Sequence, residues 1–163
     1  MNSGEKSDRT FDNLTEIIDV EEARVKIVIF TLADEYYAFY GENVREILPP
    51  TEISPVPGVP EFLAGLINVR GDVESVIDIR HFLGIAASAP SQGFIVLAAK
   101  DGICSGILVD AVIDVDDIPV REISPPLSTL DTGIREFIVG VFDYGEKNVT
   151  LLDIGKIFAK IVI

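Results

Sequence analysis

The stretch FLAGLINVRGDVESVIDIRHFL, Phe62 to Leu83, decides the fold. Two β-rich runs, Ala64–Val69 and Val73–Asp78, flank Arg70-Gly71-Asp72, where the glycine supplies the backbone freedom that a tight hairpin turn requires. The pattern predicts strand, turn, strand, then a short helical end over Asp78–Leu83 that Gly84 terminates. The chain carries this pattern twice. A shift of 75 residues lays FIVGVFDYGEKNVTLLDIGKIF, Phe137 to Phe158, on the first copy without a gap, matching Phe62 to Phe137, Gly65 to Gly140, Asp78 to Asp153 and Ile79 to Ile154. Upstream, a shift of 68 sets Phe39, Val44, Glu46, Ile47 and Pro57 against Ile107, Val112, Asp114, Val115 and Pro125. The difference between the shifts fits an insertion in the polar, turn-like Ser128–Gly133. Order and pattern together predict two similar β modules in one chain.

A chain of 163 residues can bury a sizeable core, as one domain or two small intimate ones, and 48% hydrophobic residues make it globular. No apolar run approaches the ~20 residues of a membrane helix, and the polar start MNSGEKSDRT lacks a signal-peptide core, so the expectation is a cytoplasmic protein without membrane insertion. The single cysteine, Cys104, falls in a predicted strand and reads as a small buried hydrophobe. Acidic residues outnumber basic ones 27 to 13, for a net charge of −14, which repels nucleic acid and anionic lipid surfaces. Two readings of that charge stay open: partners with basic patches, or a solubilising surface that discourages edge-to-edge strand pairing.

Along the chain, residues 1–24 form an acidic tail, flexible or partly helical, with a weak helical pattern at Leu14, Ile17, Ile18 and Val20. Val25–Leu32 reads as a buried strand, Ala33-Asp34-Glu35 turns it, Tyr36–Gly41 returns, and Val44–Leu48 continues as a short strand. The five prolines of Pro49–Pro60 exclude a helix or central strand and predict a rigid connector with at most one short strand around Ile53. A small-residue linker at Ala86–Ser91 places the junction between modules near residues 84–92. The second copy begins with Gly93–Lys100, turns at Asp101-Gly102 and returns over Ile103–Asp110. Ala111–Val115 extends it, Asp116-Asp117-Ile118-Pro119 breaks it, and a proline-containing connector follows over Val120–Pro126. Ile134–Tyr144 with Lys147–Asp153 makes the last hairpin, and Ile154–Ile163 closes as a helix amphipathic at Ile154, Ile157, Phe158 and Ile161. Many short strands and little helix predict barrels or a sandwich.

Catalytic chemistry finds little purchase. The lone histidine, His81, reads as a surface or capping residue, and no nucleophile with a base and orienter is suggested. Asp110, Asp114, Asp116 and Asp117 lack the glycine of a calcium loop and read as a solvated acidic edge. No metal-ligand spacing or phosphate loop occurs, so no cofactor is expected. The Arg70-Gly71-Asp72 tripeptide and the sequons at Asn13 and Asn148 carry no weight in a cytoplasmic chain. Arg70 stands out as a cation at a hairpin tip of an acidic protein. It is a solvated turn residue, a brace to a nearby carboxylate, or an anchor for a partner surface, and these remain open.

The order FTLADEYYAFYGENVREI, then SPVPGVPEFLAGLINVRG, then VIDIRHFLG resembles the CheW family of chemotaxis scaffold proteins, from about Val25 to Ile161. The specific part is the Asn68-Val69-Arg70-Gly71 turn between a G-hydrophobic-I strand and a V-I-D-I-R strand. The resemblance implies an all-β fold with short helices: two interlocked five-stranded SH3-like barrels over residues 25–163, an internal duplication and a C-terminal helix. It implies a non-enzymatic adaptor joining the cytoplasmic tips of methyl-accepting chemoreceptors to the regulatory domain of the histidine kinase CheA, at receptor arrays on the inner membrane face. Carried over by position, Val44, Glu46, Asn68, Arg70 and Gly71 belong to the receptor-binding region. Ile107, Asp110 and Val112 belong to a kinase-facing surface on the other barrel. The chain departs from the family where a proline often precedes the V-I-D-L-R strand: Ser75 stands there, after the charged Glu74. That departure bears on partner identity, and the alternative is a module of an accessory signalling cluster that binds receptors without coupling CheA.

Overall fold

The computed structural model describes residues 22–86 and 92–161, so the helical pattern expected at Leu14–Val20 and most of the Ala86–Ser91 linker lie outside the described residues. The strands are β1 (Arg24–Leu32), β2 (Glu35–Tyr40), β3 (Val44–Glu52), β4 (Leu63–Val69), β5 (Asp72–Ile77), β6 (Gln92–Lys100), β7 (Ile103–Val109), β8 (Ala111–Pro119), β9 (Ile138–Tyr144) and β10 (Lys147–Leu152). The described residues include three short α-helices, α1 (Arg80–Leu83), α2 (Thr132–Arg135) and α3 (Ile154–Ile161). The strands form two five-stranded sheets, each curled into a small barrel, in the orders β8-β1-β2-β10-β9 and β3-β6-β7-β5-β4.

These two orders are one order written twice. Replacing β1–β5 by β6–β10, and the reverse, converts one sheet into the other, including its single parallel pair, β2–β10 in one and β5–β7 in the other. Each repeat therefore gives its first two strands to one barrel and its last three to the other. The junction expected near residues 84–92 separates the repeats, but strand exchange means that it does not separate the barrels. The copies agree down to single hydrogen bonds. Asp78 N–H donates to Phe62 O and Asp153 N–H to Phe137 O, both at 2.8 Å. Ser54 pairs with Leu66 as Ser124 pairs with Val141.

Strand exchange explains the near-continuous apolar runs of the first strands of each repeat. In β1, Ile27 and Ile29 fill the interior of one barrel, while Phe30 and Leu32 point the other way into a core shared by both. In β6, Ile95 fills the second barrel, and Val96 and Ala98 enter the shared core. A strand buried on both faces loses the polar alternation of a half-exposed one. Ile154, Ile157 and Phe158 of α3, at helical spacing, seal the shared core from the C-terminal side.

Three expectations need correction. β3 runs through Pro49 and Pro50 to Glu52, beyond the expected end at Leu48. It is tolerated because β3 is an outer strand, and the register jumps from the Leu48–Ile95 pair to Thr51–Gly93, so the prolines sit in a bulge that asks for no N–H. β8 likewise continues unbroken through Asp116-Asp117 to Pro119, again as an outer strand, paired to β1 from Arg24–Pro119 onward. Residues 132–135, expected in a turn and the start of the last hairpin, form α2, capped by Asp131 Oδ1 accepting from Gly133 N at 2.7 Å, and β9 starts only at Ile138.

Candidate functional site

Val69 pairs with Asp72, so the central turn is the two residues Arg70-Gly71, with φ of +51° and +93°. That is the geometry of a type I′ hairpin, which an arginine adopts at some cost. Asn68 supports it, its Oδ1 accepting the Gly71 N–H at 2.8 Å. Arg70 then reaches across to β3, donating from Nη1 to Glu46 Oε2 at 2.8 Å and from Nη2 to Glu46 Oε1 at 2.6 Å. The planar guanidinium matches the carboxylate fork to fork. β3 and β4 are the two outer strands of their sheet, so the pair clasps the barrel shut at the hairpin end, as the Ser54–Leu66 bridge does farther along. The hydrogen bond from Arg70 holds the Glu46 carboxyl below its ordinary 4.5. Arg70 nevertheless remains 71% exposed, which leaves the outer side of the guanidinium open.

The second barrel of the duplication isolates what is particular about this clasp. The shift of 68 carries Glu46 to Asp114, and the shift of 75 carries Val69 and Arg70 to Tyr144 and Gly145. There the Tyr144 hydroxyl donates to Asp114 Oδ2 at 2.6 Å, which raises the phenol above its ordinary 10.0. Both barrels thus have an edge-to-edge clasp in the same place. In one the donor is a neutral phenol, and in the other it is an exposed cation.

The structure brings Glu46, Asn68, Arg70 and Gly71 of the expected receptor set into one cluster. Val44 lies nearby on β3 but is half-buried against the shared core. Beside the cluster lies a residue that the sequence analysis did not single out, Val73, 64% exposed and paired with Asn68. Val73, Leu66 and Asn68 line one side of a shallow groove of about 420 Å³, whose other side is Thr51, Glu52 and Ser54. Its signal in the sequence was an apolar residue opposite an outward Asn across the hairpin. On the other side, Arg45, Glu46, Arg70, Asp72 and Glu74 surround a polar depression of about 190 Å³. Glu74 is thus partly covered by its neighbours. Cys104, expected to be a buried hydrophobe, is only half-buried, and its Sγ accepts from Arg45 Nη1 at 3.7 Å. Burial pushes its thiol upward.

The expected kinase-facing set does not form a surface. Ile107 is fully buried in the shared core, and Val112 is half-buried against it. Nor does Ile107 lie on the other barrel: β7 belongs to the same sheet as the Arg70 hairpin, because the first strands of each repeat cross over. Asp110, at the crossover from β7 to β8, is exposed, and it holds the β1–β2 turn. Its Oδ2 accepts from Ala33 N, whose φ is +51°, at 2.7 Å, and its own N–H donates to Thr31 O. A carboxylate at that point stabilises a backbone conformation that alanine adopts reluctantly. His81 is exposed on α1, and Arg80 beside it is buried, pairing with Asp78 through Nε and Nη2 at 2.8 Å each. Among the described residues no group of three or more His, Cys, Asp or Glu side chains is placed to hold a metal ion, and no helix is long and apolar enough to cross a membrane.

Comparison with known proteins agrees with this architecture. The chain is 28% identical to the chemotaxis protein CheW of Rhizobium meliloti, over 82% of this chain and 86% of that one. It is 30% identical to protein FrzA of Myxococcus xanthus, over 78% and 81% respectively. The crystal structure of the scaffolding protein TtCheW from Thermoanaerobacter tengcongensis superposes with a TM-score of 0.68 at 32% identity, covering 80% of this chain and 90% of that one. The model of the CheW-like domain matches residues 26–162, spanning both barrels, and the chain belongs to the CheW-like domain family of chemotaxis proteins.

Proposed function

We propose that this chemotaxis adaptor joins the cytoplasmic tips of methyl-accepting chemoreceptors to the regulatory domain of the histidine kinase CheA, by protein–protein contact and without chemistry of its own. The receptor face is the β4–β5 hairpin tip with the adjoining part of β3: Glu46, Asn68, Arg70 and Gly71, with Val44 beneath them and Val73 beside them. The observation that carries this reading is the clasp itself. Arg70 is held in one orientation by two hydrogen bonds to Glu46 yet stays open to solvent, next to an exposed apolar side chain. A pre-oriented arginine beside an apolar groove is the composition of an interface hot spot. Kinase contact falls to a separate face, where Asp110 is the exposed member of the set carried over from the family. The protein works at the inner membrane face only through the receptors that it binds.

The test separates clasp from anchor. Arg70→Glu leaves the core untouched and lowers the amount of protein that co-sediments with receptor-containing membranes. Combining it with Glu46→Arg restores an ion pair across β3 and β4 with its polarity reversed. If Arg70 touches the receptor, the swapped protein stays defective; full recovery of binding in the swap would reduce Arg70 to a structural brace.

A further inference from the structure

The chain passes from β2 in one barrel to β3 in the other through Gly41–Asn43, but from β7 to β8 it crosses on the single residue Asp110. That residue is clipped to the β1–β2 hairpin twice. Its N–H donates to Thr31 O at 2.9 Å, and its Oδ2 accepts from Ala33 N at 2.7 Å. Because β7 belongs to one barrel and β1, β2 and β8 to the other, the two clips fix where the chain arriving from the first barrel joins the second.

The turn that Asp110 holds is itself out of pattern. Among the described residues four hairpins turn in two residues, closed by the pairs Leu32–Glu35, Val69–Asp72, Lys100–Ile103 and Tyr144–Lys147. Three of these turns contain a glycine at positive φ, Gly71, Gly102 or Gly145. Ala33-Asp34 contains none, yet its φ values are +51° and +67°. Aspartate is tolerated in that region, whereas alanine has a Cβ there and no polar group to offset it. The repeat supplies the comparison: the shift of 68 carries Ala33-Asp34 to Asp101-Gly102, where glycine relaxes the turn without a clip.

We propose that Asp110 is a positioning residue. It locks a glycine-free turn to the one-residue crossover and so sets the backbone of the β1–β2 turn and the start of β8 as the face that a partner meets. The inference rests on the reading of that face as the kinase side and deepens it: Asp110 acts on kinase contact through the backbone that it holds. Strain and clip can be separated, since glycine at position 33 removes the strain whether or not the clip is present.

The test reads amide hydrogen exchange at Ala33 in the parent, Asp110→Asn and Asp110→Ala, and binding of the CheA regulatory domain by the parent, Asp110→Ala and Asp110→Ala/Ala33→Gly. The amide oxygen of Asp110→Asn still accepts, so exchange at Ala33 stays slow. Asp110→Ala speeds it about tenfold or more, the size expected for a lost hydrogen bond to a charged group. Kinase binding weakens in Asp110→Ala and returns when Ala33→Gly is added. Exchange at Ala33 that is the same in Asp110→Ala as in the parent would overturn the inference. A binding defect that Ala33→Gly leaves in place would overturn it too, by making Asp110 a direct contact. A parent that binds no kinase would contradict the proposed function instead; the exchange comparison needs no partner and decides the clip by itself.

Discussion

Gly65 and its repeat-mate Gly140 offer a quantitative test of the duplicated barrel. A Cβ on Gly65 would fall inside the contact distance of the Ser54 carbonyl oxygen and 2.7 Å from Ile53 Cγ2; on Gly140 it would meet Ser124 O and, again at 2.7 Å, Ile123 Cγ2. The obstacle is backbone in both cases, so Gly65→Ala must push the connector away from β4. That strains two hydrogen bonds, Ser54 N–H to Leu66 O and Leu66 N–H to Ser54 O, each 2.9 Å. At about 0.5–1.5 kcal/mol net per bond, their loss costs about 1–3 kcal/mol. Displacing the buried Ile53 adds an overpacking term of about 1–3 kcal/mol. With about 1 kcal/mol more for the positive φ of +151° at Gly65, the sum, about 5 kcal/mol, is a large part of the 5–15 kcal/mol typical of a whole domain. Gly58 is the control: its φ is +78° but nothing lies within 4 Å of an added Cβ, so Gly58→Ala carries only a backbone cost of about 1 kcal/mol. Urea unfolding of the three variants decides the matter. The reasoning is refuted if Gly65→Ala costs no more than Gly58→Ala, and the equivalence of the barrels is refuted if Gly65→Ala and Gly140→Ala differ by several kcal/mol.

The Asp78–Arg80 pair, with both side chains 6% exposed, predicts a loss of about 1.5–3 kcal/mol for Asp78→Asn, which weakens the charge-assisted hydrogen bonds that the Asp78 carboxylate accepts from Arg80. Asp78→Leu with Arg80→Met should lie closer to the parent than that single variant does; a double variant as damaged as the single one would contradict the argument. The two barrel clasps should respond to opposite ends of the pH scale. Glu46 titrates below 4.5 in the folded chain, so its clasp is intact above that value and lost as pH falls through the lowered one. Tyr144 titrates above 10.0, so its clasp is intact below that value and lost as pH rises through the raised one. Carboxyl NMR on Glu46 and an ultraviolet titration of the parent against Tyr144→Phe measure both, and an unshifted midpoint in either would rule out the corresponding hydrogen bond in solution.

The duplication was legible because it is written in local features: a glycine at the same place in each last hairpin, an aspartate after it, an apolar period. Which half pairs with which was not legible in the repeat itself, since strand partners are chosen by tertiary packing. The resemblance to a family supplied the interlocking. For the same reason Ile107 was expected on the wrong barrel and on a surface: an isoleucine in a strand buried on both faces looks, in sequence, like one that is half-exposed. The prolines at 49–50 and 119 argued correctly against central strands, but outer strands with bulges tolerate them. The cluster of Glu46 with Arg70 joins residues 24 apart, and only the closure of the barrel, which sets β3 beside β4, makes it a clasp. Once that closure is known, the repeat sets Asp114 beside the β9–β10 turn, but its donor there, Tyr144, stands one place before Gly145, the equivalent of Arg70.

Bridging of receptor and kinase by one molecule is open to direct measurement. Receptor-containing membranes are sedimented with the CheA of the same organism, with and without this protein, and bound kinase and its phosphorylation rate are read together. A bridging protein raises both. Protein found in the pellet without additional kinase, or absent from the pellet altogether, would contradict bridging.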